Sequence, residues 1–228
     1  IDPICLADEV SALRDRGVPC DNLRISSTAH VIMPYHRLLD ALQEDARGSG
    51  SIGTTRRGIG PTYTDKTQRV PRGIRMADLL DQQALRAAVI EQLAHKNVIL
   101  QHLYGHRPLD ADEVIAEITD VLPVITPFIT DARAIVRERL NAGALVVLEG
   151  AQGTYLDLDY GTYPFVTSSH PVAGGACLGT GVAPTEIDEV IAVVKAYTTR
   201  VGAGTFPTEL TDATADALRE RGAEYGTT

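Results

Sequence analysis

The run Ala144-Leu-Val-Val-Leu148, closed by Glu149 and Gly150, constrains the fold more than any other stretch of the chain. Five apolar residues without alternation, ended by a polar residue and a glycine, read as a strand covered on both faces. Strands of a parallel sheet read this way. Ile191-Ala-Val-Val194 repeats the pattern ahead of Lys195-Ala-Tyr-Thr-Thr-Arg-Val-Gly202. Helical segments join these runs, which predicts an α/β fold with an open, mostly parallel sheet. Ligands of such sheets bind beyond the carboxyl ends of the strands. A chain of 228 residues, 44% hydrophobic, can bury a full core.

Leu6, Val10 and Leu13 recur at helical spacing until Gly17-Val-Pro19 ends the helix. Asn22 to Ser27 alternates like a short strand. Pro34 occupies a first helical position before Leu38, Leu39 and Leu42, and Gly48-Ser-Gly50 breaks that helix. From Met76 to Leu140 nearly everything reads as helix. Stripes of Leu85, Val89 and Leu93, of Val114, Ile118 and Val121, and of Ile125, Ile129 and Val136 are broken at Gly105–Pro108, Pro123 and Pro127. Residues from about 74 to 143 are therefore expected to form a helical subdomain inserted in a single domain of residues 1–228.

The segment 53–69, GTTRRGIGPTYTDKTQR, is built from glycines, threonines and basic side chains, and only Ile59 and Tyr63 suit a core. It reads as a loop with helix beyond it. Main-chain N–H groups freed by glycine, beside hydroxyls and guanidinium groups, suit an oxyanion such as phosphate. A second dense segment follows the first apolar run: Glu149-Gly-Ala-Gln-Gly-Thr154, then Gly161 to Ser169. Gln152 offers donor and acceptor on one amide and suits a purine or amide edge. Thr167, Ser168 and Ser169 offer successive hydroxyls, although Ser168 or Ser169 alone is better explained by a turn with a helix N-cap. The third segment is KAYTTRVGAGTFPTEL, residues 195–210, in which Gly202 and Gly204 beside Arg200 fit a ligand-facing backbone and fit a β-bulge equally.

Charge and cysteine content exclude several classes. A net charge of −9 argues against a nucleic-acid or anionic-membrane surface, and the basic residues of 53–69 are then a local feature suited to a small anion. Cys5, Cys20 and Cys177 are too scattered for a disulfide framework or thiolate metal site, which places the chain in a reducing cytoplasm. No apolar run reaches membrane-spanning length. His95, His102 and His106 share a helix and its end without carboxylate or cysteine partners, the pattern of a solvated face. His170 fits either a ligand contact or a surface loop. No Walker-type phosphate loop occurs in the sequence. The opening Ile1-Asp2-Pro3 and the ending Gly226-Thr227-Thr228 are those expected of a piece of a longer chain.

Together, GTTRRGIGPTYTDKTQR, EGAQGTYLDLDYGTYPFVTSS and KAYTTRVGAGTFPTEL, in this order and spacing, closely resemble the adenylosuccinate synthetases, from near residue 1 to Thr228. The pattern Gly-Ile-Gly-Pro-x-Tyr-x-x-Lys-x-x-Arg is specific to that family. The resemblance implies a P-loop NTPase-like sheet, incomplete here because the chain is a fragment. It also implies a cytoplasmic homodimer that uses GTP and Mg2+ to phosphorylate the 6-oxygen of inosine monophosphate (IMP), after which L-aspartate displaces the phosphate to give adenylosuccinate.

Residue roles follow from the same resemblance. Thr55 and Thr167 would bind the IMP phosphate, and Arg69 would reach the IMP phosphate of the neighbouring subunit. Gln152 would contact the hypoxanthine and support its 6-oxyanion, Lys66 falls on the signature lysine, and Val201 would lie near the ribose. Thr227 and Thr228 match the start of the loop that grips aspartate. Arg56 stands where many members carry glycine. The family's catalytic aspartate and histidine would precede Ile1, and the rest of the aspartate loop and the guanine-reading segments would follow Thr228. The main GTP and Mg2+ ligands would thus lie outside this chain, which is expected to be inactive alone. Two other readings stay open: a catalytically dead nucleotide-binding module complete as it stands, and an interaction protein that keeps only the fold.

Overall fold

In the computed structural model, which describes residues 1–224 and 226, the chain divides into two units. The first comprises Ile1–Ala46 and Arg56–Val146, and the second Arg47–Thr55 and Val147–Thr228. Thr227 and Thr228, the expected start of an aspartate loop, lie outside the described residues.

The first unit is mainly helical, and aspartate side chains cap the starts of several of its helices. Asp2 accepts the Ile4 and Cys5 amides and Pro3 occupies the first turn of α1, Pro3–Asp15. Helix α2, Pro34–Arg47, begins at its proline as the sequence predicts. Helix α3 spans Ile59–Gln68. Asp81 caps α4, Gln82–Tyr104, which ends where Gly105 turns left-handed at φ 62°. Asp110 caps α5, Ala111–Thr119; α6, Leu122–Ile125, and α7, Ala132–Asn141, follow. Helix α4 packs on α5 and α1 on α6. Their apolar faces meet in a core that includes Met33, Tyr35, Ile74, Met76, Leu85, Ile118 and Ile125. Strands β1, Ile25–Ser26, and β2, Ile129–Thr130, pair in parallel with Ile25 opposite Ile129.

The second unit is held mostly by turns, with helices α8, Ala173–Thr180, and α9, Ala213–Gly222. Asp212 caps α9 by accepting the Thr214 and Ala215 amides. The architecture is α/β, helix-rich with a small parallel sheet.

Two expectations of local structure are corrected. The apolar runs 144–148 and 191–194 are not strands, and Leu145 and Val193 are 91% and 97% exposed. A buried parallel strand needs hydrogen-bonded neighbours at its edges and helices on its faces, and among the described residues no strand runs beside either segment. Composition marks a segment able to be buried; it does not supply what covers it. The second correction is α3, which occupies much of the segment read as a loop.

Candidate functional site

The motif residues fall on both units. In the first, α3 carries Lys66, and Arg69 follows as its C-terminal cap. Gly58 starts the helix at φ 78°, donates its N–H to Asp40 Oδ2 at 2.8 Å and accepts the Thr62 hydroxyl at 2.7 Å. A Cβ on Gly58 would stand 2.8 Å from the backbone of His36 and of Arg37, so only glycine fits against α2.

The far end of α3 is tied down through Asp65, which the sequence reading did not single out. Asp65 is 2% exposed and accepts the ring of His36 at 2.8 Å and the ammonium of Lys96. The Met33 N–H donates to His36 Nδ1 at 2.9 Å, so the ring proton lies on Nε2 and points at Asp65. Burial alone would raise the Asp65 carboxyl, but the hydrogen bonds from His36 and Lys96 outweigh it and hold the group below its usual range. Burial likewise lowers His36, with Asp65 opposing, so the ring is neutral near pH 7.

With Asp65 facing inward, Lys66 and Arg69 are left exposed. The Lys66 ammonium lies 5.0 Å from the centre of the Tyr63 ring. Arg69 sits at φ 68°, in the left-handed region, as do Arg56 at 55° and Gln152 at 62°. Residues with a Cβ avoid this region at a cost of about 1–3 kcal/mol, and where they occupy it the surroundings hold them there. The left-handed backbone at Arg56 explains why glycine suits that position. Its guanidinium pairs with Asp45 at 2.7 Å.

In the second unit three loops interlock. The Ala203 N–H donates to the Ile52 carbonyl at 3.0 Å, and a Cβ on Gly53 would lie 2.7 Å from Gly202 Cα. The backbones of 52–53 and 202–203 therefore pass in direct contact, which explains Gly202 without a β-bulge. Arg200 locks the third loop on: Nη2 donates to Thr162 Oγ1 at 3.0 Å and to the Phe165 carbonyl at 2.9 Å, while Nε donates to the Ala203 carbonyl at 3.0 Å. Thr55 and Thr167 each lie two residues from these contacts, and Val201 adjoins Arg200. Gln152 lies exposed on a separate loop of the same unit.

Asp157 ties together the chain on both sides of the loop of Thr167. It is fully buried and accepts the amides of Asp159 and Tyr160 and the ring of His170 at 3.3 Å. Burial would raise its carboxyl, but those hydrogen bonds hold it below the usual range. His170, left open between ligand contact and surface loop, is part-buried and supports this aspartate. Among the described residues no three histidine, cysteine, aspartate or glutamate side chains gather as a metal site, and no helix is long and apolar enough to cross a membrane.

Sequence reasoning missed Asp65, His36, Lys96 and Asp157. A signal for Lys96 was present: it falls on the same helical face as Leu85, Val89 and Leu93, and a lysine on an apolar stripe calls for a buried partner.

Comparison with known proteins gives a consistent result. The family model for adenylosuccinate synthetase matches residues 1–228. The adenylosuccinate synthetase of Desulfitobacterium hafniense strain DCB-2 is 54% identical over all of this chain and 53% of its own length. That of Synechococcus elongatus is 55% identical over all of this chain and 51% of its own. The structure of fully ligated adenylosuccinate synthetase from Plasmodium falciparum superposes with a TM-score of 0.87 at 33% identity, covering 99% of this chain and 52% of that one. The chain thus spans about half the length of the relatives it matches.

Proposed function

Because the chain belongs to the adenylosuccinate synthetase family, we propose that it is the central, IMP-contacting part of a cytoplasmic, homodimeric, GTP-dependent ligase joining L-aspartate to IMP. The phosphoryl group of GTP passes to the IMP 6-oxygen, leaving GDP. The aspartate amine then attacks C6, and phosphate departs with the oxygen. An oxygen of this kind is a poor leaving group until it is phosphorylated, which is why the order runs this way.

The observation that carries the reading is the interlocking of loops 52–55, 162–167 and 200–203 in the second unit. It supports the reading because phosphate recognition needs hydroxyls and amides held in place, and Thr55 and Thr167 each lie two residues from these contacts. Gln152 would donate its amide N–H to the 6-oxygen as negative charge builds there. Lys66, exposed on the first unit, would act as the family's signature lysine, and Arg69 would reach the IMP phosphate of a neighbouring subunit. Thr227 and Thr228 would begin the aspartate loop. Among the described residues no three carboxylate, histidine or cysteine side chains gather as a metal site.

Calorimetric titration of the isolated chain tests the assignment. The expected result is weak IMP binding without specific GTP binding, and no adenylosuccinate from IMP, GTP, aspartate and magnesium. GTP binding tighter than IMP binding would overturn it.

A further inference from the structure

Beside Arg69, two polar side chains occupy core positions of α4. Gln92 is 0% exposed and Lys96 7%, and their spacing of four residues stacks them on one helical face. Lys96 holds Asp65, whose carbonyl receives the Arg69 N–H at 3.4 Å. Gln92 reaches the chain on the other side of Arg69, donating from Nε2 to the carbonyls of Arg72 at 2.9 Å and Pro71 at 3.3 Å. The two side chains thus grip residues 65–72 at both ends, with the left-handed Arg69 between them.

Gln92 holds its place at a cost. Its Oε1 is buried without a hydrogen-bond partner, and such an atom loses its hydration with nothing in return. Turning the amide over would point that oxygen at two carbonyl oxygens, so the orientation is fixed by the carbonyls it serves. A leucine here would remove the orphaned oxygen while leaving two carbonyls short of a donor. Those effects on stability oppose one another, so Gln92 has a weak stability role for a fully buried polar residue. Its two bonds fall on the backbone just beyond Arg69, at Pro71 and Arg72.

We infer that Gln92 and Lys96 are positioning residues for Arg69, acting as a two-point clamp that holds its backbone in the left-handed conformation and aims its guanidinium at an anionic ligand. The inference rests on the reading of Arg69 as an IMP-phosphate ligand. Neither residue touches substrate. A guanidinium displaced by about 1 Å loses much of its pairing with a phosphate, because that pairing depends on directed N–H···O bonds.

The test is a mutant cycle in the full-length protein, with Gln92→Leu, Arg69→Leu and the double variant assayed for kcat and for the KM of IMP and of GTP. Gln92→Leu should raise the IMP KM about tenfold, with kcat and the GTP KM within about twofold. In the Arg69→Leu background it should add less than about twofold, since no guanidinium remains to aim. An equal rise in both backgrounds would mean a general structural role and overturn the clamp. An unchanged IMP KM in Gln92→Leu, where Arg69→Leu raises it, would also overturn the clamp while sparing the role of Arg69. If Arg69→Leu itself leaves the IMP KM unchanged, the phosphate reading fails and the clamp with it. Should Gln92→Leu not fold, Gln92→Met repeats the cycle with an unbranched chain close to glutamine in length.

Discussion

Lys96→Met isolates the energetics of the buried network beneath α3. The side chains of Lys96 and Asp65 are 8% and 2% exposed, so removing the ammonium strands a carboxylate in the core. One neutral hydrogen bond, from His36 at 2.8 Å, is left to it. Breaking a buried pair in this way costs about 3–5 kcal/mol, against about 5–15 kcal/mol for the stability of a whole domain. With a urea dependence of about 2–3 kcal/mol per molar, the unfolding midpoint should fall by roughly 1–2.5 M. Replacing both partners, Lys96→Met with Asp65→Leu, removes the charge entirely. The remaining penalty is then the unpaired His36 N–H, about 1–3 kcal/mol. The double variant is therefore expected to be more stable than the single one, an inversion that no sum of independent losses produces. Equilibrium urea unfolding by far-ultraviolet circular dichroism at pH 7 measures all three proteins. A single variant within about 1 kcal/mol of wild type, or a double variant less stable than the single, would refute the reasoning.

Acid should weaken the first unit in a defined window. Burial, with Arg75 and Lys66 nearby, lowers His30 from 6.5 to about 4, and burial lowers His36 as well. Both rings take up protons more readily when unfolded, so their contribution is full above pH 6.5 and declines as pH falls, for His30 until about 4. Urea midpoints measured between pH 7 and 4.5 should decline, and less steeply in His30→Gln; an unchanged slope would remove His30 from the account. At Arg56, φ is 55° and the ion pair to Asp45 joins two side chains 52% and 59% exposed. Glycine relieves the backbone and alanine does not, so thermal unfolding should find Arg56→Gly more stable than Arg56→Ala by about 1 kcal/mol. Equal stability would mean that the left-handed backbone there is not maintained in solution.

What the sequence revealed and what it hid have distinct physical causes. The starts of α2 at Pro34 and the buried stripe of Leu85, Val89 and Leu93 were legible because local rules decide them. Helix α3 was not. Its sequence holds Gly60 and Pro61, and its hold on the fold comes from His36 and Lys96, 29 and 31 residues from Asp65. Strand β2 is two residues long and exists through its pairing with β1, about a hundred residues earlier. The runs 144–148 and 191–194 show the opposite failure, a strong local pattern with no partner strand among the described residues. At the candidate site, glycines and hydroxyls marked the candidate loops, while the side chains that support them were unreadable. Asp65 and Asp157 look like ordinary polar residues until their buried partners are known.

Residues 53–69 are proposed to serve the IMP phosphate, with Arg69 completing the site of a neighbouring subunit. Mixing full-length subunits carrying Arg69→Leu with subunits carrying Thr55→Ala tests it most directly. Each parent lacks one element at every site, and a guanidinium–phosphate contact is worth about 1.5–3 kcal/mol, or about ten- to hundredfold in affinity. In a mixed dimer one site unites the intact Thr55 of one subunit with the intact Arg69 of the other. After random exchange, adenylosuccinate formation at low IMP should therefore recover to about a quarter of the wild-type rate. No recovery, with subunit exchange demonstrated independently, would contradict the account and confine Arg69 to its own subunit.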